Sequence, residues 1–258
     1  MKILASERQR KILEEIRKRG ASTISELSKD FSVSEMTIRR DLGRLEQEGL
    51  IKRTYGGALS LELAAFEPTF QEKDVINIEE KRRIGAAAVS IVNQGDTIFL
   101  TTGTTAMQIV RNLVKSKSVI NLTVVTNSLN NAYELCKLDS IRLFVIGGEV
   151  RKRSYAMIMP QIEESLKGIY IDKFFLGVNG LSYEYGLTIP NPLEAQLCRL
   201  VIQKSRETTV VADHSKFGEV AFAHIANLNE IDKIITNSAV DQRYIDQLKD
   251  KGIEVILA

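Results

Sequence analysis

"SVSEMTIRRDL", residues 32–42, is the stretch on which the fold of the N-terminal region turns. Ser34 is a good N-cap, and the helix it opens runs to about Glu48, where Gly49 stops it. An α-helix turns about 100° per residue. With Ile38 pointing inward, Leu42 and Leu45 fall beside it and anchor the helix. The opposite arc carries Met36, Arg40, Gly43, Arg44 and Gln47, with Thr37 and Arg39 on its flanks. A solvated face usually mixes Glu with Lys at i,i+4 spacing. Here the acids Glu35 and Asp41 sit to the sides, and arginines fill the outer arc. Arginine pairs bidentately with guanine edges, and threonine reaches phosphate or a thymine methyl.

Two helices precede this one. Ser6 with Gln9 reads as a capping box for a first helix whose buried stripe is Ile12, Leu13 and Ile16, ended by Gly20. Thr23 with Glu26 opens a short second helix with Ile24, Leu27 and Phe31 inward. A short helix, a tight turn around Ser32–Ser34 and a longer helix make a helix-turn-helix. Beyond Gly49, Leu50 and Ile51 lead into Lys52 and Arg53, then to Gly56-Gly57, a hairpin-type dipeptide. A two-stranded wing of this kind brings basic residues against a phosphate backbone. Charge agrees: thirteen basic and nine acidic residues through Gly57 give +4, and the rest of the chain carries −2. A winged module used only for protein contacts is the competing reading; the basic imbalance favours nucleic acid.

The composition, 44% hydrophobic and 26% charged over 258 residues, suits a globular protein with one large or two unequal domains. The first apolar run is too short for a signal peptide. The longest, "IGAAAVSIV", falls short of the ~20 residues that span a bilayer. Cys136 and Cys198 lack metal-ligand spacing and read as buried, inert thiols of a reducing compartment. A cytoplasmic protein with no membrane segment is expected.

Residues 59–75 read as a linker between a winged helix-turn-helix domain (1–58) and an α/β domain (76–258). Asn77 with Glu80 caps a helix whose inner face is Ile84, Ala87, Ala88 and Ile91. Strand-like and helix-like segments then alternate: "DTIFL", "LTVVT", "IRLFVIG", "KFFLGV", "ETTVVAD", "KIIT" and "EVILA" are strands, and a helix spans about Pro192 to Lys204. Such alternation predicts a mainly parallel sheet flanked by helices.

Ligands of open α/β sheets sit beyond the strands' carboxyl ends. Four ends are polar or glycine-rich here: "TTGTT", "NS", "GGEVRKR" and "DHSKFG". Gly103 permits a tight turn, Thr104 and Thr105 add hydroxyls, and the following helix offers free N–H groups to a phosphate. Lys216 is a candidate phosphate partner. The consecutive Asp213, His214, Ser215 and Lys216 cannot meet as a hydrolase triad, and no G-x-S-x-G elbow is present. His214, His224 and Cys198 lack zinc spacing. No metal, cofactor or catalytic residue is expected.

The run "SVSEMTIRRDLGRLEQEGLIKRTYGGA" resembles the N-terminal signature of the DeoR-type bacterial transcription regulators, through its serine-flanked turn, Thr37–Leu42 and Gly56-Gly57-Ala58. The resemblance implies a sequence-specific repressor that places its third helix in the major groove of an operator. Its expected DNA contacts are Ser34, Met36, Thr37, Arg39, Arg40, Arg44, Lys52, Arg53, Tyr55 and Gly56, with Asp41 orienting Arg39 or Arg44.

The likeness continues through Gly103 to Thr105, Asn127-Ser128, Gly147-Gly148, Gly177, Gly180, Gly186 to Thr188, Glu194-Ala195 and Asp213 to Gly218. It implies a sensor domain similar in fold to ribose-5-phosphate isomerase and glucosamine-6-phosphate deaminase. The implied effector is a phosphorylated sugar. Expected contacts are Thr102, Gly103, Thr104, Thr105, Asn127, Ser128, Gly147, Gly148, Glu194, Asp213 and Lys216, the Gly-Thr-Thr turn and Lys216 holding phosphate.

Four positions depart from that pattern. Thr101 and Asn237 stand where the family often has Asp, Cys198 where it often has Lys, and Met159 where a Gly precedes Pro. A homo-oligomer, dimer or tetramer, is expected because one helix-turn-helix reads only a half-site. Two alternatives remain at this point: a sugar-phosphate isomerase or deaminase with an accessory DNA-binding head, and a DNA-binding protein whose body serves only oligomerisation.

Overall fold

The structure is a computed structural model that describes residues 5–19, 21–53, 56–60, 68–116 and 121–258. Two compact units divide the chain, the first Met1–Glu67 with Ala221–Ala223 and the second Pro68–Val220 with His224–Ala258.

The first unit comprises α1 (Ala5–Arg19), β1 (Ala21–Thr23), α2 (Ile24–Phe31), α3 (Glu35–Gln47), β2 (Ile51–Arg53) and β3 (Gly57–Ser60). Ile12, Ile16, Ile24, Leu27, Ile38, Leu42, Leu45, Ile51 and Ala58 are buried together as one core. Fully burying one such aliphatic side chain contributes about 1.5–3 kcal/mol, so the inward register of α3 is strongly determined. The Thr23–Glu26 capping box forms in full. Ser34 caps α3, its Oγ accepting from the Thr37 amide. The turn between α2 and α3 passes through Ser32 at φ 50°, and the Val33 amide donates to the Ser28 carbonyl.

Two N-terminal expectations are corrected. The helix already exists at Ala5, so Ser6 lies inside α1, and the Gln9 amide reaches Asp41 instead of closing a capping box. Gly57 is not a turn residue but the first residue of β3, and β3 is the middle strand of the order β1-β3-β2. Its lack of a side chain is required there: a Cβ would lie 2.1 Å from the Ser22 carbonyl oxygen on β1. Three-residue β1 left no signal of its own beside the helix that follows it.

The second unit begins with α4 (Phe70–Asp74), α5 (Ile78–Ser90), β4 (Thr97–Leu100), α6 (Thr104–Lys115), β5 (Leu122–Thr126), α7 (Leu129–Leu135) and β6 (Ile141–Val145). It continues with β7 (Glu149–Val150), β8 (Met157–Ile158), α8 (Ile162–Ser165), β9 (Ile171–Gly177), β10 (Gly180–Ser182), β11 (Gly186–Ile189), α9 (Pro192–Lys204) and β12 (Ser205–Val211). It closes with β13 (Ala223–Ala226), β14 (Lys233–Thr236), α10 (Gln242–Asp250) and β15 (Glu254–Leu257). Seven strands form one sheet in the order β15-β14-β12-β9-β4-β5-β6, every neighbour parallel. Ile98, Phe99 and Leu100 are all fully buried, as expected of a parallel strand covered on both faces.

Helix α4 corrects the linker boundary. Thr69 and Glu72 form a capping box, and Phe70 is buried in the core of this unit, packed with Tyr155. The 59–75 segment therefore contributes its later part to the second unit; residues 61–67 lie outside those described. Asn77 does not cap α5 through its side chain, which turns to the Asp213 carboxylate at 2.9 Å while its backbone adopts φ 51°. Cys198 is buried as expected, but Cys136 is exposed at the end of α7, its thiol bonded to the Tyr133 carbonyl.

Candidate functional site

On α3 the inward residues Ile38 and Leu42 are fully buried, while Met36 is 74% exposed and Arg39, Arg40, Arg44 and Gln47 face solvent. Ser34 and Thr37 meet at the start of the helix, hydroxyl to hydroxyl at 3.0 Å. Arg39 pairs loosely with Glu35 at 3.7 Å. Arg40 and Arg44 form no ion pair among the described residues, which leaves two full cations on the outer arc.

Asp41 does not orient Arg39 or Arg44. It is 1% exposed, receives the Arg8 guanidinium at 2.7 Å and the Gln9 amide at 2.8 Å, and so locks α3 against α1. The reason is phase: Asp41 lies next to Leu42 on the side of α3 that faces α1, where a buried carboxylate requires donors. Arg53 is half-buried, its amide donating to Glu46 at 3.0 Å and its guanidinium 4.0 Å from the same carboxylate. Gly56 is buried, and its carbonyl accepts from the Ile24 amide, so it fastens the wing to α2. Lys52 lies on β2, and its side chain is not among those described; Tyr55 lies outside the described residues.

In the second unit, parallel strands bring their carboxyl ends to one edge of the sheet. Thr101 and Thr102 follow β4, Asn127 and Ser128 follow β5, and Asp213 follows β12; all are buried. Gly103, at φ 125°, opens α6 from open space, with Thr104 and Thr105 buried in its first turn. Thr102 donates to Glu194 at 3.3 Å, and Glu194 is also paired with the Arg151 guanidinium. Glu194 itself sits in the first turn of α9, where Asn191 caps its amide. Ser128 caps α7 by accepting from the Asn131 amide. Gly147 is exposed with open space around it, whereas Gly148 lies where a Cβ would come 2.2 Å from the Ile158 carbonyl oxygen. Gly148 therefore serves the approach of β8 to β7.

Asp213 is the most constrained member of the cluster. Its Oδ1 accepts from the Ser215 hydroxyl at 2.6 Å, the Ser215 amide at 3.0 Å and Asn77 at 2.9 Å. Its buried Oδ2 has no partner. Burial alone would raise its pKa, but the bonds from Ser215 and Asn77 and the charge of Lys216 outweigh it, leaving a carboxylate below the ordinary range. Lys216 is half-buried three residues further on. Asn127 Oδ1 and Asn131 Oδ1 are likewise buried without a partner.

The departures noted in the sequence acquire structural roles. Thr101 accepts from the Gly177 amide at 3.0 Å, stitching the end of β4 to β9. Asn237 accepts from the His214 amide at 2.8 Å and meets the His214 ring at 3.1 Å, holding the turn that carries Lys216. Cys198 lies one helical turn beyond Glu194, and burial pushes its thiol pKa well up, so it is inert.

Arg151, Lys81, Asn77 and Asn131 also belong to this region, and nothing in the sequence marks them as members of it. Arg151 stood in the quoted "GGEVRKR" run without any spacing cue, and Asn131 donates to the Thr101 carbonyl at 3.0 Å from a helix face that looked ordinary. A separate cavity of about 390 Å³ opens at the opposite, amino-terminal end of the strands. Its charges answer one another, Lys173 with Asp96 and Lys233 with Glu207 and Glu254, which marks a structural ion-pair network. Among the described residues, no cluster of three or more His, Cys, Asp or Glu is placed to hold a metal ion, and no helix is long and apolar enough to cross a membrane.

Family comparison agrees with both units. Residues 8–63 match the DeoR-like helix-turn-helix domain, and residues 76–238 match the DeoR C-terminal sensor domain. The chain is 37% identical over 253 residues to the transcriptional regulator YulB of Bacillus subtilis, covering 98% of this chain and 96% of that one. It is 36% identical to the regulator GlpR of Haloferax volcanii, covering 98% of each. Against the repressor GlcR of B. subtilis the figure is 32%, covering 95% and 93%. Among solved structures, ribose 5-phosphate isomerase A of Methanocaldococcus jannaschii aligns with a TM-score of 0.41 at 20% identity over 55% of each chain. The relatives of known role are transcriptional regulators, and this chain, a winged helix-turn-helix joined to an α/β sensor, belongs to the DeoR family of DNA-binding transcriptional regulators.

Proposed function

We propose that this regulator is a repressor of a sugar-metabolism operon, reading its operator through the outer arc of α3. In this reading Arg40 and Arg44 contact base edges in the major groove. Ser34, Met36, Thr37 and Arg39 line the same face, and Lys52, Arg53 and Tyr55 bring the wing to the phosphate backbone. Gly56 supports the wing from its buried position. Two copies acting on paired half-sites, in the cytoplasm, complete the assembly.

The effector is a phosphorylated sugar bound at the carboxyl ends of β4, β5 and β12. The observation that carries this is the set of buried acceptors without donors, Asp213 Oδ2, Asn127 Oδ1 and Asn131 Oδ1. Leaving such atoms unpaired costs about 1–3 kcal/mol each; sugar hydroxyls are donors that satisfy them. Lys216 and the amino-terminal turn of α6, from Gly103 through Thr104 and Thr105, supply the phosphate's counter-charge and N–H donors. Thr102, Ser128, Glu194, Gly147 and Gly148 border this region.

Control then follows from linkage. A sugar phosphate that binds the operator-competent and incompetent states unequally shifts the equilibrium by its differential affinity, and one that binds both equally shifts nothing. The isomerase alternative is disfavoured by the carboxylates' engagements: Glu194 is neutralised by Arg151, and Asp213 is fixed by Ser215 and Asn77. Arg151 keeps Glu194 in an ion pair, and the bonds and charge that hold the Asp213 pKa low make it a weak base, so neither is suited to proton transfer to a substrate.

A thermal-shift screen of the full-length protein against phosphorylated sugars tests the effector. Stabilisation by at least one sugar phosphate, absent with its unphosphorylated form, is expected. Stabilisation by none removes the effector reading and leaves a body used for assembly alone.

A further inference from the structure

Strand β6 (Ile141–Val145) is one of the two edges of the large sheet, and among the described residues its single neighbour is β5. Strands of an all-parallel sheet are ordinarily covered on both faces. On β6, Phe144 is 40% exposed and Val145 45%, although successive side chains leave a strand on opposite faces. Helix α7 packs on β6 and adds Leu129 and Tyr133, one turn apart and both exposed. An exposed apolar edge is a template for another strand, and proteins usually blunt it with lysine, proline or a bulge. Strand β6 has no lysine or proline, and its one charge, Arg142, lies over its own Phe144 ring, 4.9 Å from the centroid.

The backbone decides what this edge accepts. The Ile146 amide donates to the Thr126 carbonyl at the end of β5. Backbone groups change sides at every residue along a strand. Leu143 and Val145 therefore aim their N–H groups away from the sheet, and Ile141, Leu143 and Val145 their carbonyls. A two-fold axis at Leu143 makes the edge complementary to itself. Leu143 then exchanges both hydrogen bonds with Leu143 of a second copy, and the Val145 amide reaches the Ile141 carbonyl of that copy. The apolar face of Ile141, Leu143 and Val145 closes on its own image. On the other face Arg142 comes opposite Phe144 of the second copy, in the closely spaced position without hydrogen bonds, where a cation meets a ring. The opposite edge, β15 (Glu254–Leu257), offers no such match. Its Glu254 side chain is 59% exposed and held by Lys233, and the strand carries no basic residue to oppose it.

We propose that the β6 edge is the seam between two copies of this chain, joined antiparallel about Leu143 so that their sheets become one. The proposal rests on the reading that two copies act on paired half-sites, which requires a closed pair. A contact of one edge with its own image closes at two copies. Pairing of β6 with the β15 edge of another copy is head-to-tail, and it ends only in a ring or an open filament. Leu129 and Tyr133 of α7 extend the apolar surface beside the seam.

Sedimentation velocity of the full-length protein gives the particle mass of the wild type, Val145→Lys and Leu257→Lys, both substitutions falling on exposed positions. Hydrogen exchange of peptides covering 141–146 is followed in the wild type at high and low protein concentration. The wild type is expected to sediment as an assembly, and Val145→Lys at half that mass or less, because its ammonium would be buried opposite Ile141 of the second copy. Leu257→Lys should keep the wild-type mass. The Leu143 and Val145 amides should be protected along with those bonded to β5, and should exchange faster on dilution. An unchanged mass in Val145→Lys overturns the seam and leaves the two-copy reading standing. A wild-type assembly whose Leu143 and Val145 amides exchange as fast as an open edge does the same, and this result needs no variant to fold. A wild type that is a monomer at every concentration overturns the seam and the preformed pair together.

Discussion

Asp41→Ala is expected to cost the first unit about 3–5 kcal/mol, the range for breaking a buried ion pair from one side. The figure comes from the geometry. Asp41 is 1% and Arg8 8% exposed, and both carboxylate oxygens are in use, one by Arg8 at 2.7 Å and one by Gln9 at 2.8 Å. Truncation strands a buried guanidinium and an amide together. A unit of this size has a total stability of only about 3–9 kcal/mol at 0.05–0.15 kcal/mol per residue. The loss is therefore a large share, and α3 is populated far less in its folded form. Hydrogen exchange of α3 peptides across a urea series measures it, the strands of the sensor unit serving as internal control. Replacing both partners, Arg8→Met with Asp41→Leu, should restore most of the loss, because no uncompensated charge stays buried. A cost below about 1 kcal/mol, the worth of an exposed pair, or strict additivity of Arg8→Ala and Asp41→Ala, refutes the assignment of this pair as the lock between α1 and α3.

Arg40→Ala should weaken operator binding by about 1–3 kcal/mol while sparing nonspecific DNA; an unchanged specificity ratio in competition titrations removes Arg40 from the base-reading face. Lys52→Ala and Arg53→Ala should weaken both kinds of binding and flatten the salt dependence. Gly57→Ala places a methyl group 2.1 Å from the Ser22 carbonyl oxygen and should destabilise the first unit by about 1–3 kcal/mol, read as faster exchange in β1 and β3. Asp213 has a folded-state pKa below its ordinary 3.8, so its stabilisation is fully present above that value and is lost as pH falls through it. Melting midpoints of the wild type should accordingly drop more steeply in acid than those of Asp213→Asn. Under native conditions an alkylating reagent should label Cys136 and leave Cys198 untouched.

Much of this architecture was legible because it is local. The register of α3 follows from the spacing of Ile38, Leu42 and Leu45, and α9 begins at Pro192 behind the Asn191 cap where the sequence placed it. The pairing of Asp41 with Arg8 was not legible, since it joins residues 33 apart and depends on how α1 crosses α3. Asn77 shows the same limit from the other side. Its position before a helix is a capping signal, yet Asp213, 136 residues later, offers its side chain a better partner. Helix α4 has five residues, too few to carry a period, and is held by Phe70 entering a core assembled from distant strands. At the carboxyl edge of the sheet the polar strand ends announced themselves, whereas Lys81 looked like any lysine in a charged helical turn until the fold buried it.

The most direct test of the account is operator-DNA anisotropy with the full-length protein, titrated with and without a sugar phosphate shown to saturate the sensor. The ligand is expected to change the operator affinity by about 5–150-fold, the usual span of allosteric coupling, and Lys216→Ala to abolish the change. An operator affinity that stays constant while the ligand saturates the protein would contradict it.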